Sequence, residues 1–402
     1  MKIDKCYVNN ESVANIWVNG LQIPTNINLG EPLYKVGLLS DIHIRPLESD
    51  NGYSQSDFTN ALNYFKDNGA LMGCASGDLT DDSWRYQYEL YTGLRDTSGL
   101  PFFECTGNHD AYPVSLSRDF TINLAEEACI AYHIHDLIGK DLLYCVYGNT
   151  YEGLQMTYDE SGTFTTSTRI KTIDITVPDN DVYIFIGILG EGATFFKAGL
   201  TWFRDILERF RNQRCFVFEH CRAERLHKDF YTGVIDSDLF ADKVSGNIAG
   251  SYLKPMWGTS KEAPDGLVFE SLMSHYTNCL WFHGHSHMSA AMADDFGTRN
   301  ANIDRYFGDA YDSEDLSASR HNSKFSWSIH ICSCSEPREV VDGTITTNHN
   351  GSQGCFMSVY KNCVEIKYLD FANQTMLKRY VLDTTLNVIE QNTYVDKLNY
   401  FD

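Results

Sequence analysis

Five short apolar runs in this chain each end at side chains that can bind metal ions. The runs KVGLLS, LMGCAS, PFFECT, FVFE and CLWF have the length of buried strands, and each stops at a polar or glycine-marked position. Side chains at the carboxyl ends of strands in an α/β sheet meet at one edge, where binding sites are found. The motifs after the runs are Asp41-Ile-His43, Gly77-Asp78, Gly107-Asn108-His109-Asp110, His220 and Gly284-His285-Ser286-His287.

The side chains in these motifs favour transition metals. Two Asp, one Asn and four His suit a pair of divalent transition-metal ions, whereas calcium takes only oxygen ligands and a structural zinc takes four ligands in all. Each motif alone has an ordinary interpretation as a turn or a strand end. Together, they predict a two-metal site.

The order and type of the motifs resemble the calcineurin-like metallophosphoesterases, a superfamily of dimetal phosphatases and phosphodiesterases. The family pattern is D-x-H, G-D, G-N-H-D/E, a lone H and G-H-x-H, and every element is present here in that order. One departure is that the His-x-Pro often seen at the fourth motif reads His220-Cys221-Arg222, with His227 as a nearby competitor. The resemblance covers most of the chain.

The resemblance implies an α/β fold, a four-layer αββα sandwich of two mixed β-sheets flanked by helices. We predict the phosphoesterase domain at residues 34–375, with insertions around 111–180 and 291–324. Residues 1–33 would be an N-terminal extension and 376–402 a C-terminal tail.

Patterns along the chain predict individual elements. The segments NALNYFKDNG and GLTWFRDILERFRNQ have helical apolar spacing. The stretch LLYCVYGNTYEGLQMTYDESGTF predicts hairpins, and its tyrosines could either stack on an aromatic leaving group or pack in the core. The runs FSWSIHICS, GCFMSVY and CVEIKYLDF indicate strands of a second sheet.

The resemblance also implies roles for the site residues. A hydroxide bridging the two metal ions would attack phosphorus. His109 would contact the phosphate and protonate the leaving oxygen, with Asp110 fixing its tautomer. Arg45 could reach a phosphate or be an ordinary surface arginine. One ion would be held by Asp41, His43, Asp78 and His287, and the other by Asp78, Asn108, His220 and His285, so that Asp78 bridges them.

The charge of the chain limits the partners that it can bind. The formal net charge is −22, from 54 acidic and 32 basic residues among 402, which disfavours binding to long nucleic acid and a nuclease function.

The apolar stretches and the cysteines bear on the location of the protein. No apolar stretch reaches the ~18 residues of a membrane span, and the N-terminus lacks the apolar region of a signal peptide. Several of the twelve cysteines lie in apolar runs and none forms C-x-x-C, which indicates free thiols. We therefore expect a cytoplasmic protein without membrane association.

The expected function is metal-dependent hydrolysis of small phosphorylated substrates. Small phosphodiesters are favoured because the compact motif spacing resembles that of cyclic-nucleotide and glycerophosphodiester hydrolases. The alternative is a phosphomonoesterase. A further alternative is a non-catalytic metal-binding or structural module of the same fold, which would be expected to have lost ligands. The cofactors would be two divalent or trivalent transition-metal ions, with Mn, Fe or Zn preferred.

Overall fold

The computed structural model describes residues 16–18, 21–23, 29–46, 52–111, 134–158, 164–187, 195–220, 252–253, 276, 278–285, 287, 289–290, 303–305, 327–341 and 344–384. Most of the predicted N-terminal extension, most of the 291–324 insertion, the end of the tail and His227 lie outside these ranges. None of the described helices is long and apolar enough to cross a membrane.

Strands make up most of the regular structure in the described ranges. In chain order the elements are β1 (Ile16–Val18), β2 (Leu21–Ile23), β3 (Tyr34–Leu39), α1 (Tyr53–Asp67), β4 (Met72–Ser76), α2 (Arg85–Ser98), β5 (Phe102–Cys105), β6 (Leu143–Tyr147), β7 (Thr150–Tyr158), β8 (Phe164–Thr172), β9 (Val182–Ile186), β10 (Phe195–Phe196), α3 (Lys197–Arg209), β11 (Cys215–Phe218), β12 (Tyr252–Leu253), β13 (Cys279–His283), β14 (Ile303–Arg305), β15 (Trp327–His330), β16 (Arg338–Val341), β17 (Thr344–Thr347), β18 (Gln353–Val359), β19 (Cys363–Asp370) and β20 (Thr375–Asp383).

The smaller of the two main sheets has six strands, in the order β20-β19-β18-β3-β4-β5. Strands β3, β4 and β5 run parallel, and the first three motifs follow their carboxyl ends. Strands β18, β19 and β20 form an antiparallel meander that joins the parallel half where β18 pairs with β3. Strand β3 therefore has a neighbour on each side and is buried on both faces, which explains its nearly continuous apolar sequence.

The larger sheet has eight strands, in the order β14-β15-β13-β11-β9-β6-β7-β8. Strands β9, β11, β13 and β15 are parallel, and the fourth and fifth motifs follow the neighbouring strands β11 and β13. Strands β6, β7 and β8 form an antiparallel half that begins at β9. Each main sheet thus combines a parallel half, which carries motifs, with an antiparallel half.

Aromatic rings fill the space between the sheets. Successive side chains of a strand point to opposite faces, so alternate residues of each strand enter this layer. Phe103 of β5 and Phe185 of β9 meet across the two sheets, with ring centroids 6.1 Å apart. Phe218 stacks between Phe185 and Phe282, at 4.9 and 4.8 Å. This aromatic layer holds the two sheets face to face.

Helices cover the outer faces of both sheets. On the smaller sheet, Phe65 of α1 lies so close to Gly37 that a Cβ there would come within 2.1 Å of the ring. On the larger sheet, Phe203 of α3 packs edge-on against Trp281 of β13, at 5.7 Å. The four layers form the predicted αββα sandwich, so the predicted fold class is confirmed.

The hairpin strands differ from the sequence interpretation in their place in the fold. The predicted hairpins are present, but β6, β7 and β8 are three strands of the larger sheet, although residues 111–180 were assigned to an insertion. Tyr144 and Tyr151 are buried and stack on each other at 4.9 Å, so these two pack in the core. Helices α1 and α3 lie where helical spacing predicted them.

The strands near the C-terminus divide between the sheets. Strand β15 extends the larger sheet, whereas β18 and β19 complete the smaller one beside the first motif strand. The predicted free thiols are confirmed in the described residues, where nine cysteines are free and eight of them are buried.

A buried ion pair joins the sheets at the end remote from the motifs. Arg214, just before β11, donates two hydrogen bonds to Asp181, just before β9, at 2.6 and 3.0 Å. Its third nitrogen donates to the carbonyl of Tyr360 and the hydroxyl of Thr384, both next to strands of the smaller sheet. Tyr34, the first residue of β3, also donates to Asp181. This polar cluster pins the sheets together where their parallel strands begin.

We expect Arg214→Met to lower the free energy of unfolding by about 3–5 kcal/mol, because it leaves the buried Asp181 carboxylate without its partner. Arg211→Met is the matched control, since Arg211 pairs with Glu208 at an exposed helix end and such a pair contributes about 0.5 kcal/mol or less. Chemical denaturation followed by tryptophan fluorescence measures both values. Equal effects of the two variants would contradict the role assigned to the buried cluster.

Candidate metal centre

The loops that follow the five motif strands meet at one edge of the sandwich. Strands β3, β4 and β5 deliver their loops from the smaller sheet, and β11 and β13 deliver theirs from the larger one. The backbones of the first two loops pair directly, because the amides of Ile42 and His43 both donate to the carbonyl of Asp78, at 2.8 and 2.9 Å. The amide of His285 donates to the Asp41 carboxylate at 3.0 Å and so joins the two sheets.

One group of four donors surrounds a common point. The donor atoms of the group lie within 4.8 Å of one another and could hold a metal ion. The Nε2 atoms of His43 and His287 are 3.0 Å apart. Asp41 Oδ1 lies 3.3 Å from Nε2 of His287, and Asp78 Oδ2 lies 3.5 Å from Nε2 of His43. Two imidazole nitrogens and two carboxylate oxygens thus converge.

A second group shares Asp78 with the first. Nε2 of His220 lies 3.0 Å from Asp78 Oδ2 and 3.2 Å from Nδ1 of His285. The amide oxygen of Asn108 lies 2.9 Å from the same Nδ1 atom. Asp78, His220 and His285 could hold a metal ion together. The structure therefore brings all seven predicted ligands into two adjoining groups with one common carboxylate.

The surroundings of the Asp78 carboxylate show whether these residues fit a pair of cations. Its side chain is fully buried, and its Oδ1 atom accepts a hydrogen bond from the amide of His109 at 2.8 Å. Its Oδ2 atom faces both groups of donors, with Nε2 of His220 at 3.0 Å and Nε2 of His43 at 3.5 Å. A buried carboxylate is costly unless a positive charge, either a protonated histidine or a metal ion, lies beside it. The position of this oxygen and the mixed Asp, Asn and His donors fit two transition-metal ions.

The backbone is left-handed at most of the candidate ligands. Among the described residues, nine residues other than glycine have positive φ. Five of the nine are candidate ligands, and such conformations cost about 1–3 kcal/mol each. Strand β3 ends at Leu39, before Asp41 and His43. The alternation of side chains along a strand therefore does not explain why these two side chains point to the same place. The left-handed turns aim these ligands, which are Asp41 (φ 50°), His43 (47°), Asp78 (49°), His285 (71°) and His287 (58°).

Two glycines let the backbone approach the candidate ligands closely. A Cβ on Gly107 would lie 2.1 Å from Oδ1 of Asp78, and a Cβ on Gly284 would lie 2.4 Å from Oδ2 of Asp41. Any side chain at either position would therefore displace a carboxylate of the centre.

The charges of His220 and Asp78 determine the protonation of the centre. Burial disfavours the imidazolium of His220, but the Asp78 carboxylate raises its pKa to about 9. Burial opposes ionisation of Asp78 as well, but His220 holds the pKa of that carboxyl well below its usual range. Burial and the charge of His220 lower the pKa of His285 to about 3. In the absence of metal, His220 thus carries the proton that balances Asp78, and metal uptake would displace it.

Asp110 has different partners from the predicted one. Its carboxylate accepts hydrogen bonds from the amides of Gly107, Leu79 and Thr80 at 2.8–2.9 Å, and from the Thr80 hydroxyl at 3.0 Å. The interpretation that Asp110 orients the imidazole of His109 is therefore corrected. Burial and the charge of Asp78 raise the pKa of Asp110 to about 6. Asp110 fastens the second motif loop to the third.

His109 is oriented by a backbone group instead. Its Nδ1 atom lies 2.6 Å from the carbonyl oxygen of Asp81, which can only accept, so this nitrogen carries a proton. Its ring lies edge-on to His43, with centroids 4.5 Å apart. His109 is partly exposed, unlike most of the ligands around it. It therefore lies at the open side of the donor groups.

Arg45 is held by two carboxylates. It lies 2.7 Å from Asp81 and also pairs with Glu336, so both arms of its guanidinium are engaged. Glu336 is not among the predicted site residues, because it follows β15, a strand that no recognisable motif follows. The only signal available was its place shortly after an apolar run that ends at Cys334, which is weak by itself.

The family comparison agrees with the motifs. Residues 34–220 match the family model described as calcineurin-like phosphoesterase, which confirms the resemblance. The match ends at His220, so His285 and His287 lie beyond it. No curated protein matches the chain in sequence.

The solved structures that are similar to the chain include three with 9–11% sequence identity. The purple acid phosphatase PPD1 from seeds of yellow lupin (Lupinus luteus) is 9% identical with a TM-score of 0.48, and the comparison covers 91% of this chain and 58% of that one. GAP50, the anchor in the inner membrane complex of Plasmodium, is 11% identical with a TM-score of 0.41, over 91% and 92%. TT1561 of Thermus thermophilus is 10% identical with a TM-score of 0.35, over 87% and 99%. The chain thus spans about 58% of the lupin phosphatase chain.

We expect Asp110→Asn to lower the free energy of unfolding by about 1–3 kcal/mol, because an amide cannot accept the hydrogen bonds of all four buried donors. Chemical denaturation of the metal-free protein measures the change. His109→Gln is the control, since His109 is partly exposed and its replacement leaves the four donors paired. Unchanged stability of Asp110→Asn would contradict the structural role.

Proposed function

We propose that this chain, which carries a calcineurin-like phosphoesterase segment over residues 34–220, hydrolyses small phosphate esters at a pair of metal ions. The observation that carries the proposal is the sharing of one buried carboxylate, Asp78, between two convergent groups of donors. A structural metal site would require only one group of donors, whereas here a second group lies beside the first, and the partly exposed His109 lies next to both. Two-metal sites that act on phosphate esters have this layout.

The residues around Asp78 would hold the ions. Mn, Fe and Zn are the proposed metals, because Asp, Asn and His donors accept all three. When bound, such ions neutralise phosphate oxygens and lower the pKa of a water molecule, which then serves as the nucleophile. The proposed ligands are Asp41, His43, Asp78 and His287 for one ion, and Asp78, Asn108, His220 and His285 for the other.

His109 is proposed as the proton donor to the leaving oxygen. The Asp81 carbonyl fixes the proton on Nδ1, so Nε2 is the nitrogen that exchanges protons with the substrate. In the charged imidazolium both nitrogens carry protons, and Nε2–H can donate to the oxygen that leaves phosphorus. After transfer, the neutral ring keeps its proton on Nδ1 and needs no reorientation before the next cycle.

Small phosphodiesters are the proposed substrate class. The compact spacing of the motifs, which resembles that of cyclic-nucleotide and glycerophosphodiester hydrolases, supports this preference. The net charge of −22 disfavours long polyanions such as nucleic acids. The intact set of seven ligands argues against a non-catalytic module. The cytoplasm is the proposed location, because the nine cysteines of the described residues are free thiols.

Hydrolysis of paired chromogenic substrates tests the function. Metal-stripped protein resupplied with Mn, Zn or Fe is expected to cleave bis(p-nitrophenyl) phosphate faster than p-nitrophenyl phosphate. Asp78→Asn should reduce turnover to that of the metal-free protein, whereas Asp82→Asn, at an exposed position four residues on, should leave it unchanged. Faster cleavage of the monoester would make the protein a phosphatase. Two bound ions without cleavage of either ester would favour the non-catalytic alternative.

His109→Gln tests the proton donor. We expect turnover to fall by about 10²–10⁴-fold for a diester with an alkyl leaving group, which needs a proton as it departs. The loss should be much smaller for p-nitrophenolate, which leaves without one. Steady-state rates with both substrates and a metal analysis of the variant measure the contrast. Equal losses for the two leaving groups, with both ions retained, would exclude this role.

A further inference from the structure

A bridge of three charged side chains joins two of the candidate ligands behind the centre. Nδ1 of His43 lies 3.1 Å from Asp81 Oδ1, and the same oxygen lies 2.7 Å from Arg45 Nη2. The other arm of Arg45 contacts Oε1 of Glu336. Oε2 of Glu336 is the carboxylate oxygen 3.7 Å from Nδ1 of His287. We call Asp81, Arg45 and Glu336 the carboxylate–arginine bridge.

The two histidines face the same point with their other nitrogens. Nε2 of His43 and Nε2 of His287 are 3.0 Å apart beside Asp41 and Asp78, so both rings turn their Nδ1 atoms outward to the bridge. Nδ1 of His287 has no hydrogen bond among the described residues, and Glu336 is the acceptor beside it. Partners on the outer nitrogen of a ligating histidine fix its tautomer and the direction of its ring.

We infer that Arg45 and Glu336 are positioning residues for one metal site alone, the one with His43 and His287. The inference rests on the proposed function, because it requires that metal ions bind at this centre. It assigns Arg45 to the metal centre and away from the substrate phosphate, since both arms of its guanidinium are engaged. The planar fork of arginine can hold two carboxylates at a fixed separation, which lysine cannot.

The bridge is anchored independently of the metal ions. The amide of Glu336 donates to the hydroxyl of Ser333 at 2.9 Å, and that hydroxyl donates to the carbonyl of Asp41 at 3.1 Å. The backbone of Arg45 is tied to the start of α1, because its amide donates to the hydroxyl of Ser54 and its carbonyl accepts from Gln55. The loop after β15, which carries no motif, thereby becomes part of the centre.

The second metal site does not depend on the bridge. Nδ1 of His220 lies 2.7 Å from the carbonyl of Ser76, so a backbone group fixes that ring. His285 turns Nδ1 itself toward Asn108 and His220. A change in the bridge should therefore weaken the binding of one ion and leave the binding of the other unchanged.

Metal affinity, measured without substrate, is the test. Dialysis of Mn- or Co-loaded protein against graded chelator, followed by metal analysis, reports the two ions separately. We expect Glu336→Gln and Arg45→Met to lower the affinity for one ion by about 10–100-fold. At a chelator concentration where the parent retains two ions per chain, the variants should then retain one. Arg45→Lys, which keeps the charge but not the fork, should give an intermediate loss.

Glu365→Gln is the matched control. Glu365 pairs with Arg379 at 2.5 Å on strands β19 and β20, so this variant removes a similar carboxylate–arginine pair in the antiparallel half of the smaller sheet. It should retain both ions. Thermal unfolding of each metal-free variant establishes that the protein is folded. The visible spectrum of the cobalt form reports the geometry of the remaining site.

The outcomes separate this inference from the proposed function. Retention of both ions by Glu336→Gln, or equal loss of both, would overturn the positioning role while the proposed function stands. A raised KM for Arg45→Lys with unchanged metal affinity would also overturn it, and would make Arg45 a substrate contact. Two ions in the parent without hydrolysis would overturn only the proposed function. A parent that binds no ions would overturn both.

Discussion

The centre is organised around the buried carboxylate of Asp78. One of its oxygens accepts a backbone hydrogen bond, and the other faces donor groups from both sheets, with Nε2 of His220 at 3.0 Å. Such an oxygen is tolerated only next to positive charge. In the metal-free centre His220 supplies that charge, and in the proposed enzyme two cations would. The loops after β3, β5, β11 and β13 are all arranged around this one group.

The two ends of the sandwich have different tasks. Where the parallel strands begin, Arg214 and Asp181 join the sheets through a fully paired polar cluster. Where the strands end, the sheets are linked through the candidate ligands, by the hydrogen bond from the amide of His285 to the carboxylate of Asp41 and by the contact of Nδ1 of His220 with the carbonyl of Ser76. The aromatic layer lies between them. The fully paired cluster thus joins the sheets at the end that carries no motifs.

The sequence predicted the fold class and the convergence of the motifs at one edge of the sheets, but not the place of every strand. The convergence could be predicted because buried parallel strands have a plain apolar pattern and the motifs directly follow them, while the choice of the seven candidate ligands came from the resemblance to metallophosphoesterases. The destination of β6 to β8 could not, because a hairpin pattern does not say which strand it joins. The role of Asp110 was misassigned, since a carboxylate next to a histidine in sequence need not contact its ring. Glu336 was missed because its loop meets Arg45 only in three dimensions.

At the five ligand positions with left-handed backbone, the residue that best suits the backbone differs from the residue that would bind a metal ion. Glycine adopts that conformation with less strain than histidine or aspartate, so replacing such a ligand by glycine would relieve strain while it removed a metal donor. Selection for stability alone would therefore erode this centre one ligand at a time. All five positions nevertheless carry aspartate or histidine, the side chains that the proposed metal centre requires.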